Sequence, residues 1–137
     1  MSEEELANVD IKEDFDIVKA RATARSLAAA LGFEVVDQTR IATAVSEIAR
    51  NALIHGGGGK MTVGPLDQKK GLEIVIIDQG SGIPDIDQAM KDGYSTTGGL
   101  GLGLGGAKRL MDELYVESSS VGTKVTMRKW LLGRLRR

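Results

Sequence analysis

The segment from Gly98 to Gly106 constrains the fold most, because six of its nine residues are glycine. Glycine leaves the backbone N–H groups accessible, and the pattern that follows predicts a helix over residues 104–113. Free N–H groups at the start of a helix form a natural cradle for phosphate. The letters from Gly101 to Gly106 also spell G-x-G-x-x-G, but a dinucleotide-binding fingerprint should follow a strand within a βαβ unit. Here a Ser/Thr/Gly-rich stretch precedes it, so we reject that interpretation.

A second candidate site lies on a helix predicted from about Asp37 to Ile54. Glu47 and Asn51 are four residues apart, so they share one face of this helix. They fall at the edge of an apolar stripe with helical spacing, which consists of Ile41, Val45, Ile48 and Ala52. The pattern therefore predicts a carboxylate and an amide beside the core at the wall of a cleft. An ordinary exposed polar face would show the same spacing.

The third candidate is the run Asp78-Gln-Gly80-Ser-Gly82, which follows a nearly continuous apolar strand predicted over residues 72–77. A carboxylate at the end of a strand can accept a hydrogen bond from an exocyclic amine. Two neighbouring glycines allow a flat base to approach the backbone closely. A plain turn is the alternative, since Asp-x-Gly is common in turns. The run Gly56–Lys60 lacks the P-loop spacing and is interpreted as a helix stop and a flexible turn.

The remaining pattern predicts an α+β fold: a two-layer sandwich with helices packed on one face of a mixed, mostly antiparallel sheet. Asp14 is the expected N-cap of a first helix that ends at Leu31. Its apolar spacing is supplied by Phe15, Val18 and Ala22 together with Ile17, Ala24, Leu27 and Leu31. The other predicted elements are a short edge strand at residues 7–12, a strand at 60–64, a short helical piece at Ile86–Lys91, and a hairpin of Leu114–Ser118 and Val121–Lys129.

Composition excludes several classes of protein. Eighteen Lys and Arg residues nearly balance nineteen Asp and Glu residues, which argues against a nucleic-acid partner. The chain contains no cysteine, no signal-peptide pattern and no apolar run long enough for a membrane span, so we expect a cytoplasmic protein. Charge divides the chain into an acidic segment at 1–13, a domain at 14–129 and a basic tail at 130–137. Solvated chain ends explain the two charged segments as well as docking surfaces do.

The three motifs, followed by Gly122-Thr123 in a late strand, occur in an order and at a spacing that resemble the GHKL family of ATP-binding proteins. This family has the Bergerat fold, and the resemblance covers about Phe15 to Arg128. Within the family, the chain resembles the small bacterial partner-switching serine kinases, because it has no phosphoacceptor helix and its single histidine, His55, ends the second helix. The segments that carry this resemblance include Phe15–Val18, Leu31–Phe33, Val36–Gln38 and Lys108–Glu113. The glycine-rich run Gly103–Gly106 and the basic tail depart from the family pattern.

The resemblance implies a role for each matching residue. Asn51 would bind Mg²⁺, and Glu47 would be the general base that orients a substrate hydroxyl. The adenine of ATP would be held by Asp78, Gly80, Gly82 and Thr123. The phosphates would be held by the backbone of Gly101, Leu102, Gly103 and Leu104. Residues Tyr94–Gly99 would form a lid over the nucleotide, and His55 would be structural.

The resemblance also implies a function and partners. The chain would be a serine/threonine kinase that phosphorylates STAS-domain proteins of the stressosome in bacterial stress signalling. After its release it would activate a PP2C-type phosphatase. The alternative is an anti-sigma factor with serine kinase activity that sequesters a sigma subunit. A nucleotide sensor with little turnover is a third possibility, and the presence of both Glu47 and Asn51 argues against it.

Overall fold

A computed structural model describes residues 6–80 and 103–131 of the chain. In these ranges five strands form one sheet: β1 (Ala7–Ile11), β2 (Gly59–Leu66), β3 (Gly71–Asp78), β4 (Glu113–Ser119) and β5 (Gly122–Trp130). The strand order is β1-β2-β3-β5-β4, and each of these pairings is antiparallel. The predicted edge strand is therefore confirmed as β1, and no parallel pairing occurs between the described strands.

Three helices are described: α1 (Asp14–Leu31), α2 (Val35–Gly56) and α3 (Leu104–Leu110). Their packing confirms the predicted sandwich, because the buried side chains of the central strands face the helices. The stripe predicted on α2 is buried over its whole length. The strand residues that meet the helices in this core are Met61, Val63, Leu72, Ile74, Ile76, Val125 and Met127. None of the described helices is long and apolar enough to cross a membrane.

The start of α1 differs from the prediction by one residue. The N-cap is Glu13, not Asp14. The carboxylate that accepts the backbone N–H of this N-cap belongs to Asp16. Asp16 Oδ2 accepts the backbone N–H of Lys12 at 2.8 Å and that of Glu13 at 3.1 Å. These two donors have no partner within the helix, so the buried Asp16 stabilises the helix start.

The buried face of α1 was predicted only in part. Phe15 is 63% exposed and Val18 is 55% exposed, so this half of the expected apolar spacing faces solvent. The buried face consists of Ala20, Ala24 and Ala28, with Ile17, Leu27 and Leu31 partly buried beside them. Alanine side chains are short, so α1 can lie close to its neighbours along this face.

The later elements also shift at their ends. The helix expected over 104–113 ends at Leu110, because β4 begins at Glu113. The strand expected to end at Lys129 includes Trp130, which the charge pattern assigns to the basic tail. Leu131 is buried and its N–H donates to the Lys70 carbonyl at 2.9 Å, so this residue also packs against the domain. The helical piece Ile86–Lys91 and the tail residues 132–137 lie outside the described ranges.

Candidate functional site

Asp78 lies at the end of β3, where the end of α2 packs against it. The N–H of Gly80 donates to Asp78 Oδ1 at 2.8 Å, which orients the half-buried carboxylate. Gly56, the last residue of α2, lies directly against the same side chain. A Cβ atom on Gly56 would be 2.4 Å from Asp78 Cγ and 2.7 Å from Oδ1, so only glycine fits beside this carboxylate. The run Gly56–Lys60 was interpreted as a helix stop, and its contact with Asp78 is an additional role.

Thr123 lies opposite Asp78 in the pairing of β3 with β5, and its side chain is buried. Its Oγ1 is 2.9 Å from Ser118 Oγ on β4, so the two hydroxyls share a hydrogen bond. Asp78 and Thr123 both line a cavity of about 440 Å³, and Asp78 lines a second cavity of about 490 Å³ beside Gly56. These volumes fall in the range of small-molecule sites. The strand ends thus place an acceptor and a hydroxyl at the wall of a space that a ligand can enter.

Glu47 on α2 lies against the backbone that begins α3. Gly103 is the N-cap of α3 and has a φ of 69°, the left-handed region that glycine adopts readily. A Cβ atom on Gly103 would be 2.5 Å from Glu47 Oε1, so the carboxylate occupies the space that a side chain would need. Glu47 Oε2 also forms an ion pair with Arg50 Nη1 at 3.7 Å, and the Glu47 side chain is 43% exposed. The structure therefore brings a solvent-accessible carboxylate to the start of the glycine-rich helix.

Asn51 follows Glu47 by one turn of α2 and is half-buried, as its position at the edge of the apolar stripe predicted. Across residues 6–80 and 103–131, no three His, Cys, Asp or Glu side chains gather into a metal site. The side-chain amide of Asn51 offers an oxygen ligand of the kind that Mg²⁺ takes. Because Mg²⁺ keeps several waters, a single protein ligand of this kind fits it.

The structure places Asp78, Gly80 and Thr123 together at the strand ends, and Glu47, Gly103 and Leu104 together where α3 begins. Gly82, Gly101, Leu102 and the lid expected at Tyr94–Gly99 lie outside the described ranges. His55 is exposed in the last turn of α2, as expected for a helix-end residue.

The sequence did not predict two contacts of the candidate residues: that of Gly56 with Asp78 and that of Arg50 with Glu47. Gly56 belongs to a run of glycines that is equally typical of a helix stop. Arg50 lies three residues from Glu47, a spacing that permits an ion pair but does not require one.

Comparison with known proteins defines the class of this chain. Residues 12–129 match the family described as the histidine kinase-like ATPase domain, which is most of the chain. The chain therefore belongs to this family, and the predicted family resemblance is confirmed. It is 50% identical over 126 residues to "Serine/threonine-protein kinase RsbT" of Bacillus subtilis, an alignment that covers 90% of this chain and 95% of that protein. It is also 35% identical over 117 residues to "Anti-sigma F factor" of Clostridium acetobutylicum, covering 80% of this chain and 82% of that protein.

Solved structures support the same fold. The RsbU and RsbW domains of a Mycobacterium tuberculosis protein align with a TM-score of 0.66 at 21% identity. That alignment covers 93% of this chain and 32% of the other. The catalytic domain of the histidine kinase ThkA aligns with a TM-score of 0.55 at 16% identity, covering 92% of this chain and 95% of that domain. The predicted Bergerat-type sandwich is therefore the fold of this chain.

Proposed function

We propose that this chain is an ATP-dependent serine/threonine protein kinase. The observation that carries the proposal is the position of the Glu47 carboxylate against Gly103, where α3 begins. A carboxylate beside the start of a helix whose backbone N–H groups suit phosphate supports a role for Glu47 as the base, with a hydroxyl and a phosphoryl group meeting there. The 50% identity to RsbT, a protein named as a serine/threonine kinase, supports the same activity.

The strand-end residues are proposed to hold the adenine. Asp78 accepts the exocyclic amine, while Gly80 keeps its carboxylate oriented through the 2.8 Å hydrogen bond. Thr123 lies across the strand pair from Asp78 and completes the polar side of this pocket. Gly82 is assigned to the same pocket on the family resemblance. The bare backbone of Gly56 allows the carboxylate to sit at this depth.

The chemistry is proposed to occur between α2 and the start of α3. Asn51 would hold Mg²⁺, which when bound neutralises charge on the phosphate oxygens. The backbone N–H groups of Gly101, Leu102, Gly103 and Leu104 would bind those oxygens. Glu47 accepts the proton of the substrate hydroxyl as the hydroxyl oxygen attacks the terminal phosphorus of ATP, while the bond from that phosphorus to the bridging oxygen breaks and ADP leaves. Arg50 forms an ion pair with Glu47 at 3.7 Å and helps to hold the carboxylate in place.

The substrate is proposed to be a serine or threonine on a STAS-domain protein, within a cytoplasmic partner-switching pathway. The released kinase would also activate a PP2C-type phosphatase. The acidic segment 1–13, the kinase domain 14–129 and the basic tail 130–137 form the proposed organisation, although Trp130 and Leu131 pack with the domain. Both partner classes come from the family resemblance.

A second candidate is an anti-sigma factor that sequesters a sigma subunit. It is favoured by the 35% identity to the anti-sigma F factor of Clostridium acetobutylicum over 80% of this chain. Both candidates bind ATP, so nucleotide affinity does not separate them. The choice of protein partner does.

The first test is therefore a comparison of two partners. We expect the purified chain, given labelled ATP and Mg²⁺, to transfer phosphate to serine or threonine of a STAS-domain protein. We expect no measurable affinity for a sigma factor at matched concentration. Tight sigma-factor binding without phosphorylation of the STAS domain would favour the anti-sigma factor instead.

A further inference from the structure

A buried lysine joins three elements at the end of the molecule away from Asp78. Lys129 on β5 is 7% exposed and its Nζ donates to the Leu110 carbonyl, the last of α3, at 2.9 Å. The same Nζ lies 3.8 Å from Asp112 Oδ1 and 3.9 Å from Asp37 Oδ1 in the first turn of α2. We refer to Lys129, Leu110, Asp112 and Asp37 as the Lys129 cluster. A buried ammonium group needs such partners, so the cluster has a defined geometry.

The helix that Lys129 contacts is weak by itself. α3 has seven residues, two of them glycine, and its N-cap is a third glycine. Glycine lowers helix stability relative to alanine, and isolated helices of this length do not persist in water. α3 therefore depends on packing against α2 and on contacts at its ends. Lys129 supplies one of these contacts, because the last carbonyls of a helix lack partners within it and favour a positive charge.

The two ends of α3 link the Lys129 cluster to the candidate site. Its first end, at Gly103, lies against Glu47, and its last residue, Leu110, accepts the hydrogen bond from Lys129. Seven helical residues span roughly 10 Å, so a shift at one end is carried directly to the other. Glu47 and Asp37 both belong to α2, which makes this helix the common support of the two sites.

We propose that Lys129 is a positioning residue that keeps Gly103 against Glu47 by anchoring the C-terminal end of α3. This inference rests on the proposed kinase function for its effect on the reaction. The anchoring itself is a structural statement that hydrogen exchange measures without reference to activity. Lys129 contacts neither Glu47 nor the strand-end pocket in the described part of the chain.

Lys129→Met tests the proposal, because methionine keeps an unbranched side chain and removes the charge. We expect the amides of α3 to exchange roughly tenfold faster, while those of β2 and β3 remain unchanged. Phosphotransfer at saturating ATP should fall roughly tenfold, and the KM for ATP should rise as well, because Gly103 and Leu104 at the start of α3 are proposed to bind the phosphates. Lys129→Arg, which retains a charged donor, should restore both properties. Lys69→Met, in the exposed turn between β2 and β3, is the matched control and should behave like the wild type.

A suppressor variant makes the test sharper. A Cβ atom on Gly106 would meet no atom within 4 Å, so Gly106→Ala strengthens α3 without a clash. If Lys129 acts by holding α3, then Gly106→Ala should recover a substantial part of the exchange protection and the rate lost in Lys129→Met. The double variant should thus be non-additive.

Unchanged exchange of α3 in Lys129→Met would overturn the proposal, and so would faster exchange with an unchanged rate. Loss of the whole fold would overturn it as well, since the lysine would then serve the core and not α3. Failure of Gly106→Ala to recover any protection would likewise count against the anchoring role and overturn it. A wild-type protein that transfers no phosphate would instead overturn the proposed function, and the exchange data would still decide whether Lys129 anchors α3.

Discussion

At the level of single residues, the half-buried position of the Asp78 carboxylate depends on its neighbour Gly56, which has no side chain. Gly56→Ala would bring a Cβ atom within 2.4 Å of Asp78 Cγ, so the carboxylate must move away from its position. We expect ATP affinity, measured by calorimetry, to fall roughly tenfold, as for the loss of one hydrogen bond to a charged group.

The control for this variant is the adjacent glycine. Gly57 has a φ of 75°, and a Cβ atom there would meet nothing within 4 Å. Gly57→Ala should therefore lower stability by about 1 kcal/mol through its left-handed backbone but leave ATP affinity unchanged. Equal affinities in the two variants would contradict the assignment of Asp78 to the adenine.

The candidate residues themselves were identified from the sequence, whereas their neighbours were not. Glu47 and Asn51 could be predicted because local helical spacing places them on one face beside a stripe. The contact of Glu47 with Gly103, and that of Asp78 with Gly56, join residues from different elements. Such contacts depend on how the helices pack on the sheet, which local spacing does not encode.

At the element scale, the start of α1 gives a prediction about pH. The backbone N–H of Lys12, then that of Glu13, hold the pKa of Asp16 below the ordinary value of 3.8, against the opposing effect of burial. A carboxylate whose pKa is lowered in the folded state stabilises the fold fully at pH values above its unfolded-state pKa. This stabilisation is lost as the pH falls through its folded-state pKa. Asp16→Asn should therefore lower the Tm at neutral pH by roughly 3–5 °C.

The difference in Tm between wild type and Asp16→Asn is the quantity to follow by thermal denaturation. It should be largest near neutral pH and shrink as the pH falls below 3.8, where the wild-type carboxylate becomes protonated. Asp10, which is exposed on β1, provides the control, because Asp10→Asn should change the Tm little both near neutral pH and below pH 3.8. A constant difference across this range would show that charge on Asp16 does not stabilise the helix start.

The same helix shows why its buried face could not be predicted in full. α1 has apolar residues on both sides, with Phe15 and Val18 on one and Ile17, Leu27 and Leu31 on the other. Periodicity alone does not show which of two apolar faces is buried. The large side chain of Phe15 favours the face that is exposed in the structure. On α2 a single apolar stripe left no such choice, and its prediction was confirmed.

At the scale of the whole molecule, the order of the motifs predicted the fold, although no motif did so alone. The α2 pair, the strand-end aspartate and the glycine-rich helix start occur in an order that resembles the family, and the match over residues 12–129 confirms that the chain belongs to it. The strand order β1-β2-β3-β5-β4 was not predicted, because β5 comes between β3 and β4. The hydrogen bonds at the opposite end of the sheet from Asp78 were not predicted either. There Trp130 Nε1 donates to Glu113 Oε2 at 2.8 Å.

Glu47→Gln tests whether the chain transfers phosphate with Glu47 as the base. Glutamine preserves the size of the side chain but removes the basic oxygen. Arg50→Gln is the matched control, because it breaks the same ion pair and leaves the carboxylate in place.

Each variant is assayed for ATP affinity by calorimetry and for transfer of labelled phosphate to a STAS-domain protein. We expect Glu47→Gln to bind ATP like the wild type and to lose transfer by ~10²–10⁴-fold, while Arg50→Gln retains most of it. Full transfer by Glu47→Gln would show instead that the carboxylate beside Gly103 has no part in the chemistry.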